Sequence, residues 1–167
     1  MVESYAASAI PEEFSASAFS VRTLHIGRTL WEKATILHKH AHGGVEKMRP
    51  RVARHYSDLA HLADAAEAVT VVDDHDLLRS VAQHQGTYHG ARWASYDTAI
   101  PGTLRLVPPQ DVRDLLAKDY KDMESLFFED PMPFDQVIER LAALEARVNG
   151  SVGAPLSSNS LEHRPPR

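Results

Sequence analysis

Two short segments of this 167-residue chain carry the side chains best placed for chemistry: Arg28-Thr29-Leu30-Trp31-Glu32-Lys33 and Arg54-His55-Tyr56-Ser57-Asp58-Leu59. Thr29 with Glu32 three residues on reads as a capping box that opens a helix running to the Gly43-Gly44 stop, and a second helix starts near Pro50. At about 1.5 Å of rise per residue, Lys33 lies roughly 15 Å before the turn and Asp58 roughly 12 Å after it. An antiparallel hairpin therefore brings the two level, with an ammonium and a carboxylate facing one shared cavity.

Other clusters invite competing chemistries. Lys47, Arg49, Arg51 and Arg54 crowd the start of the second helix, where the helix dipole disfavours positive charge. They are either a receptor for an anionic partner or a solvated, arginine-rich helix end. His38 and His42 share a helix face at a spacing that can grip zinc, with His55 or His61 across the turn to complete a site. The glutamate of the His-Glu-x-x-His motif is absent, and imidazoles near a helix C-terminus suit the dipole, so polar residues at a helix end are expected instead. Asp74 and Asp76 have no glycine turn ahead of them and are expected to cap a helix. Ser57 beside Asp58 lacks a Gly-x-Ser-x-Gly elbow, and on a helix the two point to different sides. Trp31, Tyr56, Tyr120, Phe127 and Phe128 are expected in the core, whereas Trp93 and Tyr96 fall in a loop-like stretch that suits exposure.

The elements that must position these groups are mostly helical. In the first helix Trp31, Ala34, Leu37 and Ala41 recur at helical spacing, and in the second Val52, Tyr56, Leu59, Leu62, Ala66 and Val69 do the same. A third begins at Asp73-Asp74-His75-Asp76 and fades at Gly86. A fourth follows Pro108-Pro109, and a last one follows Pro131 and Pro133 and stops at Asn149-Gly150. Alternation of Phe19, Val21 and Thr23 suits a short strand over 19–26, for which Thr103 to Val107 is the one good partner. The expected fold is thus mainly α, a bundle of about five helices with one or two short strands. Residues 1–17 are expected to be a loosely ordered arm, 18–150 the helical domain and 151–167 a disordered tail.

Composition narrows the classes. The chain is long enough for one domain with a real core, and its 43% apolar content is that of an ordinary globular protein. No run approaches the eighteen or so apolar residues of a membrane span, and Met1-Val2-Glu3-Ser4-Tyr5 has no signal-peptide pattern, so a cytoplasmic location without membrane partners is expected. The absence of cysteine excludes disulfides and thiolate metal sites. A net charge of −5 argues against nucleic-acid binding over the whole surface but allows a local basic patch.

Arg28 to Lys33 with Leu37-His38, then Arg54 to Leu59, then Asp119-Tyr120-Lys121-Asp122-Met123 and a closing Leu144-Glu145-Ala146-Arg147-Val148-Asn149 resemble, in order and spacing, the C-terminal helical half of the AbiEii/AbiGii nucleotidyltransferase toxins over roughly residues 18 to 149. The resemblance implies a toxin of a toxin–antitoxin or abortive-infection system used in phage defence, with a cognate antitoxin as partner. Its parent activity would be transfer of a nucleotide from a nucleoside triphosphate to RNA, tRNA in some members. By motif position Lys33 is then the active-site lysine on the triphosphate, and Asp58 positions or deprotonates the attacking group. Arg28 and Arg54 hold phosphate oxygens or, in the case of Arg54, pair internally with Asp58, while His55 and Glu32 support from behind, His55 by orienting Asp58.

The family's Gly-Ser turn and paired acidic residues, which hold Mg2+, have no counterpart before the hairpin. The metal-binding N-terminal half is therefore expected to be missing, through truncation, an internal start or a split gene with a separately encoded half, leaving weak nucleotide binding by this chain alone. The competing expectation is a non-enzymatic helical module that binds an antitoxin or another protein.

Overall fold

The computed structural model describes residue 10, residues 22–127 and residues 130–150. The expected arm apart from Ile10, the tail, Phe128 and the strand residues Phe19 and Val21 lie outside them. The fold is mainly α, and six α-helices occur among the described residues: α1 (Ile26–Gly43), α2 (Ala53–Asp64), α3 (Ala66–Val71), α4 (His75–His89), α5 (Gln110–Asp122) and α6 (Phe134–Gly150).

Helix α1 is the hub, because Leu30, Trp31, Ala34, Leu37 and Ala41 are all buried along it. It packs most extensively against α4 and α2, and α2 in turn covers α6. The shared core adds Tyr56, Leu59 and Ala60 from α2, Leu78 and Val81 from α4, Leu116 from α5, and Val137, Leu141 and Leu144 from α6. Helix α1 starts before the expected Thr29: His25 is its N-cap, with Nδ1 accepting from the Gly27 N–H at 3.2 Å. Glu32 therefore closes no capping box, and accepts instead from Arg28 Nε at 2.9 Å.

The second expected helix is two. Ala65 takes an extended conformation, ending α2 and letting α3 pack back against α1 as well as α2. The approach is so close that a Cβ on Gly27 would overlap the Val71 side chain. The cap predicted at Asp74 is present, its Oδ1 accepting from the Leu77 N–H at 2.9 Å. Helix α4 passes through Gly86 to His89, beyond the expected end.

No strand forms among the described residues. Residues 22–25 are irregular, Ile26 begins α1, and from Thr103, which ends a turn, to Val107 the chain is irregular and has no partner strand. Its alternation is real, since Leu104 and Leu106 are buried, but from Leu104 to Val107 its backbone N–H groups bond to side chains. Asn149 Oδ1 accepts from Gly102 N at 2.9 Å and Leu104 N at 3.1 Å, and Nδ2 donates to the Leu104 carbonyl at 2.9 Å. His38 Nδ1 accepts from Arg105 N at 2.9 Å, and Glu145 Oε2 accepts from both Leu106 N and Val107 N. Side chains of α1 and α6 thus do the work of a neighbouring strand.

Candidate functional site

The site begins with how α2 is aimed. Its N-cap position, Val52, offers no side-chain acceptor, so the exposed first turn is satisfied from elsewhere in the chain. Asp119 of α5 supplies both oxygens, Oδ1 to Arg51 N at 2.7 Å and Oδ2 to Ala53 N at 2.8 Å. These bonds also hold Arg51 at a φ of 65°, a left-handed conformation unusual for a residue with a Cβ. Helix α2 is thereby anchored at the end from which Arg54, His55 and Asp58 project.

Lys33 and Asp58 meet across the hairpin as their spacing predicts. Lys33 Nζ donates to Asp58 Oδ2 at 2.6 Å and also lies 3.1 Å from His55 Nδ1. The Lys33 side chain is 23% exposed and that of Asp58 48%, so the pair sits at a rim that a ligand can reach. His55 touches Lys33 rather than orienting Asp58. Its pKa is lowered to about 4, first by burial and then by Lys33 and Arg54, and the neutral ring can accept a hydrogen bond from the ammonium at Nδ1.

The arginines divide. Arg28 is engaged by Glu32 at 2.9 Å, one turn from Lys33. Arg54, expected as a possible partner of Asp58, forms no ion pair with it, because Lys33 occupies that carboxylate; it lines a neighbouring cavity instead. That cavity, about 330 Å³ in volume, also collects Lys47, Arg49 and Arg51, the basic cluster read from the sequence. Sequence reasoning missed Lys39 and His40 of α1 as further wall residues, and Trp93, expected to be exposed, is half-buried there.

The histidine pair does not build a metal centre. His38 and His42 stack with ring centroids 4.5 Å apart, but both nitrogens of His38 are committed. Nδ1 accepts from Arg105 N, so Nε2 carries the proton and donates to the Ser95 carbonyl at 3.0 Å. Burial, followed by His42, lowers its pKa to about 4 and keeps this neutral tautomer. His61 bonds to the Ser57 carbonyl at 2.8 Å. Among the described residues no three His, Asp or Glu side chains gather as metal ligands, and Asp58 gives one oxygen to Lys33. Ser57 is buried while Asp58 is exposed, in keeping with their expected divergence. Tyr96, expected at the surface, is buried.

No helix among the described residues is long and apolar enough to cross a membrane. Neither a curated protein nor a solved structure shows a significant match to the chain. A family profile described as nucleotidyl transferase AbiEii toxin, type IV toxin–antitoxin system, matches residues 2–140, a span that contains the Lys33–Asp58 pair, its Asp119 anchor and the cationic cavity. With most of its length covered by that profile, the chain belongs to the AbiEii nucleotidyl transferase toxin family of type IV toxin–antitoxin systems.

Proposed function

We propose that this chain acts in its toxin–antitoxin system by nucleotidyl transfer from a nucleoside triphosphate to RNA, with tRNA as the acceptor by resemblance and a cognate antitoxin as its counterpart. The observation that carries the reading is the 2.6 Å contact between Lys33 and Asp58, residues of two motifs that meet only through the fold. In the resting arrangement Asp58 is the partner of the ammonium. An arriving triphosphate competes for Lys33, whose point charge then neutralises phosphate oxygens and frees the carboxylate. Asp58 accepts the proton of the attacking RNA hydroxyl as its oxygen bonds to the α-phosphorus and the bond to pyrophosphate breaks. Arg54, unpaired with Asp58, and Arg28, if it leaves Glu32, assist at the phosphates. Magnesium is expected for the family reaction and would neutralise charge on the triphosphate and the leaving pyrophosphate.

The test is transfer of label from an α-labelled triphosphate to total tRNA by the protein as encoded, alone and with the product of a neighbouring gene. Lys33→Ala and Asp58→Asn are expected to lower transfer by about 100-fold or more with unfolding midpoints unchanged. Undiminished transfer in either variant contradicts the assigned roles. Toxicity that persists in both variants without any transfer favours the protein-binding alternative.

A further inference from the structure

Apart from Arg54, the cations of the cavity beside His55 have no role in the steps above, and its composition is unlike the rest of the surface. Lys39, Lys47, Arg49, Arg51 and Arg54 converge on it from α1, the Val45–Lys47 turn, the linker and α2, and no carboxylate lines it. Elsewhere Arg28, Arg79 and Arg140 each pair with an acidic side chain, but among the described residues no carboxylate forms an ion pair with any of these five. Gathering like charges is unfavourable in the free protein. The ammonium of Lys39 registers the cost, its pKa lowered by burial and then by Arg49.

Two further features point to a missing ligand. His40 lines the same cavity, is only 6% exposed, and its Nδ1 has no hydrogen-bond partner, an orphan that folding normally avoids. Burial, followed by Lys39 and His55, lowers its pKa to about 4, and as the Nδ1–H tautomer the neutral ring would donate to an anion in the cavity. Trp93 forms a wall on which the two ammoniums are arranged, Lys39 Nζ at 5.5 Å and Lys47 Nζ at 6.0 Å from the ring centroid. Gly43 leaves room for that ring, since a Cβ there would lie 2.7 Å from Trp93 Cζ3.

We propose that this cavity is a phosphate-binding site that grips successive phosphate groups of a phosphoanhydride or phosphodiester chain beside the Lys33–Asp58 pair. Several cations, a neutral imidazole and an aromatic wall suit an extended polyanion, and at about 330 Å³ the volume lies at the small end of ligand pockets, roughly 300–1,000 Å³. Neither Lys33 nor Asp58 is needed for this binding.

The full chain would be titrated at low salt with sodium tripolyphosphate and, separately, with a short oligouridylate bearing a free 5′-hydroxyl, by calorimetry. At least one probe is expected to bind, about tenfold more weakly to Lys47→Gln and Arg49→Gln, both exposed positions, with unfolding midpoints unchanged. For the oligonucleotide, each substitution should also reduce the salt-dependence slope by about 0.7. Tripolyphosphate binding alone assigns the site to a free phosphoanhydride, and oligouridylate binding alone to a nucleic-acid strand. Failure of both probes to bind, or equal binding by both variants, overturns the proposal. Lys33→Ala separates the two readings: it should retain probe binding, and a loss as large as that of Arg49→Gln would place the anion on the ion pair and not in the cavity.

Discussion

The irregular segment 102–107 and the cavity between α1 and α2 both draw on histidines of α1, yet they use them in opposite ways. Along the segment, His38, Glu145 and Asn149 each end on backbone groups, so the polar atoms are matched within the chain and a stretch with no strand partner is fixed in place. At the cavity His40 keeps an orphan nitrogen, and five cations gather without a carboxylate. The Lys33–Asp58 pair is intermediate, matched internally but at an exposed rim. Along the segment buried polar groups are matched by internal partners that maintain the fold, whereas at the cavity an unpartnered imidazole sits among cations that no carboxylate neutralises.

The contrast breaks most visibly on the matched side. Glu145→Ala strands two backbone N–H groups, one on the fully buried Leu106, and should cost about 3 kcal/mol in urea unfolding while leaving phosphate binding by the folded fraction intact. Gly27→Ala forces a methyl into the Val71 side chain and should cost about 2 kcal/mol by the same measurement. Asp119→Ala removes the two bonds that cap α2, with an expected loss of about 1–2 kcal/mol. Because Asp119 aims the helix carrying Asp58, this variant should also weaken transfer, which the first two should not.

Histidine titration sharpens the same comparison. His38 has a folded pKa of about 4, below the ordinary histidine value of 6.5, so between these values the unfolded chain binds a proton that the fold excludes. Stability should therefore be fully present above about 6.5 and fall as pH drops toward 4, with His40 and His55 contributing in the same direction. An anion in the cavity should flatten the part due to His40 and leave that of His38 unchanged, a difference visible in urea midpoints measured with and without tripolyphosphate.

Much of this was legible in local sequence. The Asp74 cap and the proline-led starts of α5 and α6 depend on neighbours a few residues away, the level of Lys33 with Asp58 on the rise of two consecutive helices, and each appears where expected. Asp119, Glu145 and Asn149 stood in recognisable motifs, but their partners are distant in sequence, so only the fold reveals that they hold backbone. The alternation around Leu104 and Leu106 correctly marked burial and misled about pairing, since period two records which face is covered and not what the amides bond to. The break at Ala65 carries no glycine or proline. The cavity was half visible: the arginine cluster showed in sequence, whereas Lys39, His40 and Trp93 join it only by packing.

The most direct test is to measure unfolding free energy and label transfer on the same preparation of Lys33→Ala. The ion pair it removes is partly exposed and contributes roughly 0–1 kcal/mol, so the variant should be as stable as the parent within that margin and inactive in transfer. A variant that unfolds, or one that remains fully active, would contradict the assignment of the Lys33–Asp58 pair to function and not to the fold.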